Sequence, residues 1–237
     1  MKIFDAINTK NLELVKKLVN ENGDMHTEDG LGRTPLFRAI QIRHLNIAEF
    51  LIEKGADVNI YNILCGTPLF YAMDFGYLDI VTLLIEKGAD LNMRNERGKT
   101  ILEQALEYGH FDIVTLLIEN GADLNARNNN GKTPLEQALE SGYFDIVTLL
   151  IENGADINAR NKGGKTILEQ ALESGYFDIV KFAINCRDDV NLTIINTFNL
   201  YYTEDTMNFY DSNEEESKED GVPLGGNYPI DLASEYF

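Results

Sequence analysis

One interval governs this chain. Thr34-Pro35-Leu36, Thr67-Pro68-Leu69, Thr100-Ile101-Leu102, Thr133-Pro134-Leu135 and Thr166-Ile167-Leu168 succeed one another every 33 residues, and Ala39, Ala72, Ala105, Ala138 and Ala171 keep the same phase. A second signature, Gly55-Ala56-Asp57-Val58-Asn59, returns at Gly88, Gly121 and Gly154. A fixed period of this length means small units that cannot bury their own apolar faces and must stack on their neighbours.

Elementary physics turns each unit into two short helices. Thr34, Thr67 and Thr133 are suited to the N-cap, and the proline after each occupies a first-turn position whose N–H would have no partner anyway. Gly76, Gly109, Gly142 and Gly175 fall where the first helix must stop and reverse, which calls for a left-handed residue; Arg43 holds that place in the first full unit. In the second helix Phe111, Ile113, Val114, Leu116, Leu117 and Ile118 leave Asp112, Thr115 and Glu119 for solvent, a period close to 3.6.

These features together, a Thr-Pro-Leu opening, a Gly-His or Gly-Tyr between helices and a closing Gly-Ala-Asp-Val-Asn, resemble the ankyrin repeat over about residues 1 to 191. The resemblance implies an all-α fold: an ankyrin-repeat solenoid of stacked helix-turn-helix units with inter-repeat hairpins. Residues 1–33 match a helix pair in phase but lack Thr-Pro-Leu and carry Lys10, Lys16 and Lys17, as an N-terminal capping repeat would. Residues 34–191 are five repeats, and residues 192–227 are expected to form an acidic, flexible insertion. Gly226-Asn227-Tyr228-Pro229-Ile230-Asp231-Leu232-Ala233 then resumes the phase, which makes residues 228–237 a truncated C-terminal repeat helix.

Charge narrows the partners. With 39 acidic against 20 basic residues the net charge is −19, which repels nucleic-acid phosphates and anionic lipid heads. Cys65 and Cys186 lie far apart and join no Cys/His cluster, so neither a disulfide framework nor a zinc site is signalled, and no cofactor is implied. No stretch reaches the roughly 18 apolar residues of a membrane span, and the N-terminus lacks a signal-peptide core. The expectation is a monomeric, cytoplasmic protein, in a host's cytosol if it is exported, whose partner is another protein, without direct contact to nucleic acid or membrane.

The chemistry of single residues points the same way. Glu103, Glu136 and Glu169 sit three residues after Thr100, Thr133 and Thr166, the spacing of a capping box rather than of a catalytic carboxylate pair. His44 and His110 occupy a slot filled elsewhere by Tyr77, Tyr143 and Tyr176, and no nucleophile motif or phosphate loop is present. An enzyme is therefore not expected.

Two surface arrangements remain as candidate binding features. Arg94, Arg97, Lys99, Arg127, Lys132, Arg160, Lys162 and Lys165 all lie in inter-repeat hairpins and would form a basic docking ridge beside the acidic Glu107, Glu140 and Glu173. The ankyrin resemblance implies a partner on the concave side, built by hairpin tips and first helices. There the N-terminal units present Leu31, Ile42, Tyr61, Ile63, Leu64, Tyr71, Phe75 and Tyr108, whereas the later units present Gln137, Glu140, Ser141, Gln170, Glu173 and Ser174. Residues 100–132 and 133–165 differ at only six positions, which suits a spacer. The resulting expectation is an adaptor, effector or inhibitor gripping a protein with that apolar face. The alternative is an acidic inhibitor or immunity-type protein that blocks a nucleic-acid-binding or other basic enzyme.

Overall fold

A computed structural model describes residues 2–22 and 24–201; the expected acidic insertion core at 203–221 and the resumed repeat at 226–237 lie outside them. The described residues form thirteen α-helices, a 3₁₀ turn at Asp24–His26, and isolated β-bridges in place of strands. They divide into two compact units, the second beginning at Leu135.

The first unit holds four helix pairs: α1 (Lys2–Asn8) with α2 (Leu12–Asn22), α3 (Pro35–Gln41) with α4 (Leu45–Glu53), α5 (Pro68–Asp74) with α6 (Leu78–Glu86), and α7 (Ile101–Tyr108) with α8 (Phe111–Glu119). Helix starts follow the threonines. Thr67 Oγ1 accepts the Phe70 N–H at 3.3 Å, and Thr100 makes a full capping box in which Glu103 Oε2 accepts the Thr100 N–H at 2.9 Å. Thr34 departs from expectation: its backbone has N-cap geometry, but its buried hydroxyl receives no cap bond, and α3 starts on Pro35 and its packing alone. At the reversal Gly76 and Gly109 have φ +64° and +70°, and Arg43 and Lys10 take the same left-handed conformation at φ +49° and +56°.

First helices pack in the series α1, α3, α5, α7 and second helices in the series α2, α4, α6, α8. Ala39, Ala72 and Ala105 are fully buried where first helices approach, and Leu51, Leu84 and Leu117 fill the layer behind. Burying each of these leucines stabilises the stack by about 1.5–3 kcal/mol before entropy is counted.

The second unit contains α9 (Pro134–Glu140), α10 (Phe144–Glu152), α11 (Ile167–Glu173), α12 (Phe177–Cys186) and α13 (Leu192–Tyr201). Thr166 and Glu169 repeat the capping box. Arg187 replaces the glycine that would follow α12, adopts an extended backbone, and donates its Nη1 to the carbonyls of Ile151 (3.1 Å) and Ala155 (3.2 Å) at the end of α10. Helix α13 corrects the expected insertion, because its first ten residues are helical and pack on α11 with Ile194 and Phe198 buried. Repulsion among like charges explains the difference: residues 192–203 carry no charge at all, and the acidic run begins only at Glu204.

Candidate partner-binding surface

Every hairpin of the first unit is built on an Asp or Asn whose side-chain oxygen caps the turn. Asp29 Oδ1 accepts the N–H groups of Leu31 (2.8 Å) and Arg33 (3.1 Å), and Asn95 Oδ1 those of Arg97 (2.9 Å) and Lys99 (3.0 Å). Asn62 also ties neighbours together, donating Nδ2 to the carbonyls of Leu31 (3.0 Å) and Gly32 (2.8 Å). Asn129 does the same to Arg97 at 2.7 Å. The column Asp29, Asn62, Asn95, Asn128, Asn161 carries this signal at the 33-residue spacing, but reading the repeat for helices passes over it.

The Asn62 bonds hold two apolar hairpin tips side by side. Ile63 is 75% exposed, Leu64 65% and Leu31 52%, and they stand where the later hairpins carry charged residues, asparagine or glycine. Tyr61, Phe75 and Tyr108 are exposed too, whereas Ile42 and Tyr71 are half-buried. Tyr71 lies in an aromatic run, its ring 6.2 Å from Phe37 and 4.9 Å from Phe75, and Phe75 continues to Tyr77 at 5.6 Å. Arg43 closes the run, its guanidinium 5.1 Å over the Tyr77 ring and 3.3 Å from Asp79. Tyr71 therefore braces the face more than it presents it, and Ile42 is only partly presented.

Between the hairpins at residues 61–66 and 94–99 lies a cleft of about 200 Å³ whose walls include Tyr61, Leu64, Phe70 and Tyr108. Its floor is polar: Asn95 Nδ2 donates to Gln104, and Gln104 Nε2 donates to Asp74. Burial pushes the Asp74 carboxyl above its ordinary range, offset in part by the Gln104 bond and by Arg97. Burial and then Glu96 push the Tyr61 phenol up, and burial does the same to the Cys65 thiol. Sequence reasoning missed Asp74, Gln104 and Asn95, since nothing in the repeat pattern joins residues 30 and nine positions apart.

The basic hairpin residues mostly serve their own repeats. Arg94 and Arg127 donate Nη1 to the carbonyls of Gly98 (2.5 Å) and Gly131 (2.6 Å). Lys99 pairs with Glu107, Lys165 with Glu173 at 2.6 Å, and Arg160 with Glu169 at 3.6 Å. Lys132 donates its backbone N–H to Asn128 Oδ1, and among the described residues Arg97 and Lys162 have no ion pair. Exposed pairs of this kind contribute about 0–1 kcal/mol, so their main effect is to neutralise the charges that a ridge would offer. The described residues contain no group of three or more His, Cys, Asp or Glu arranged to hold a metal, and no helix long and apolar enough to cross a membrane.

The surface thus belongs to a stack of capped helix pairs joined by Asx-turn hairpins, and the comparisons agree. The family model described as ankyrin repeats (3 copies) matches residues 3–95, 90–161 and 129–194, and the chain belongs to this family. Its structure is similar to the crystal structure of an ankyrin repeat domain from Acinetobacter baumannii AYE, with a TM-score of 0.66 and 34% identity, covering 78% of this chain and 96% of that one. No curated protein matches the chain significantly. Ankyrin repeats are in general modules for binding other proteins.

Proposed function

We propose that the chain is an adaptor, effector or inhibitor that grips a partner protein on the face made by its N-terminal hairpin tips and first helices, the concave side of the ankyrin fold. The observation that supports this is the cluster of Leu31, Ile63 and Leu64 on adjoining tips, pinned by Asn62 and flanked by Tyr61, Phe75 and Tyr108. A folded chain leaves apolar and aromatic side chains together in water at a cost, and such groups are the anchors of protein interfaces. On this reading the chain performs no turnover, works as a monomer in the cytosol and avoids nucleic acid and lipid because of its charge.

Affinity capture from the native cell, repeated at low and high salt, supplies the partner. Alanine at Tyr61, Phe75 or Tyr108 then costs at least one of them about 2 kcal/mol, roughly 30-fold in affinity, while Gln137→Ala and Ser174→Ala bind as the parent does. Losses confined to residues 133–180 would overturn the assignment of the face. The net charge of −19 supports a second reading, an acidic inhibitor of a basic enzyme. That complex would weaken steeply with salt, whereas one anchored on aromatic residues would not.

A further inference from the structure

The cleft behind the apolar tips has a charge balance of its own. Five charged side chains line it: Asp74, Glu96 and Glu107 against Arg97 and Lys99. Lys99 and Glu107 are bound to each other, which leaves two carboxylates facing one guanidinium. Among the described residues Asp74 has no ion pair; its hydrogen bond comes from the neutral Gln104 amide, itself oriented by Asn95. The carboxylate is therefore held by a neutral group, and the cationic groups that act on it, Arg97 and then His110, do so at longer range. Tyr61 and Tyr108 stand at the walls, and the negative face of an aromatic ring attracts a cation.

The whole chain reinforces this local excess, since an object of net charge −19 steers cations toward its surface. Tyr108 adds a comparison within the molecule. In the next, near-identical repeat Ser141 takes its place, so the aromatic wall is particular to this cleft.

Building on the face assigned above, we propose that this cleft receives a lysine or arginine side chain of the partner, which enters between Tyr61 and Tyr108 toward Asp74 while neighbouring apolar residues of the partner rest on Leu31, Ile63 and Leu64. Asp74 is exposed at the cleft, so a cation can reach it and supply the charged partner that the Gln104 amide is not. The raised Asp74 carboxyl agrees, because a group that lacks a charged partner responds to burial in this direction.

The test is selection of a random linear peptide library, displayed on phage, against the full chain. The enriched sequences should share a Lys or Arg next to apolar or aromatic residues. A synthetic peptide of that sequence should bind Asp74→Asn about tenfold more weakly, and replacing its cation by norleucine should cost the parent protein the same. The two changes together should cost no more than either alone, which isolates the pair. Tyr108→Ser, which copies the natural residue at 141, gives a second variant should Asp74→Asn lose its thermal transition, and it should weaken binding severalfold. The proposal is overturned if no sequence is enriched, if the enriched sequences lack a cation, or if Asp74→Asn and Tyr108→Ser both bind within about twofold of the parent. Enriched peptides that lose affinity on Leu64→Ala but not on Asp74→Asn would remove the cation and keep the face. Peptides indifferent to all three changes would remove both.

Discussion

Removing the Glu103 side chain should show how far a capping box in the middle of this stack carries stability. Glu103 and Thr100 are 1% and 3% exposed, so water does not reach the bond of 2.9 Å from the Thr100 N–H to Glu103 Oε2. Glu103→Ala strands that buried donor, at a cost of about 1–3 kcal/mol. A midrange loss of about 2 kcal/mol lowers Tm by roughly 4–8 °C in a domain of this size. Glu103→Gln is the control, since it keeps an acceptor oxygen and removes the charge. Burial holds the Glu103 carboxyl above its ordinary value, against the pull of the Thr100 N–H and of Arg94 and Lys99. A raised carboxyl contributes stability that is fully present below the unfolded pKa and is lost as pH rises through the folded value. Thermal melting followed by circular dichroism should therefore place Glu103→Gln at or above the parent at neutral pH, with the difference closing in acid, and Glu103→Ala below both. If the Ala and Gln variants melt together at neutral pH, the backbone bond is not what Glu103 contributes.

Two further perturbations address the core and the first hairpin. Ala105→Leu forces three extra carbons between first helices where the alanine is fully buried, and should destabilise by about 1–3 kcal/mol; unchanged melting would remove that column from the packed interface. Asp29 bonds Arg33 and two turn N–H groups, and its carboxyl, held by Arg33 above all, lies at about 2 instead of the usual 3.8. A lowered carboxyl stabilises above the unfolded pKa and loses this as pH falls, so the Tm gap between parent and Asp29→Asn should shrink from about pH 4 to about pH 2; a constant gap would sink the assignment.

The repeat, its two helices and their starts were legible in the sequence because they rest on local rules. Thr100 and Glu103 are three residues apart, Gly109 follows its helix, and the apolar period of α8 lies within nine residues. The six exposed members of the apolar face, Leu31, Tyr61, Ile63, Leu64, Phe75 and Tyr108, were legible too, since a hairpin tip or the outer side of a first helix is a place that the repeat phase names. Tertiary packing alone decided that Tyr71 and Ile42 are half-covered, because the cover of Tyr71 includes Phe37 of the preceding repeat. It decided also that Lys99 and Lys165 are spent on Glu107 and Glu173, eight residues on and across a hairpin turn. The Asp74 cleft needed it most. Asp74, Asn95 and Gln104 come from a first helix, a hairpin and the next first helix, and sequence periodicity records what each unit repeats but not which side chains meet between units. Helix α13 completes the contrast: the lost period after Asn191 suggested that order ends there, yet Ile194 and Phe198 find in α11 an apolar surface that only the folded stack provides.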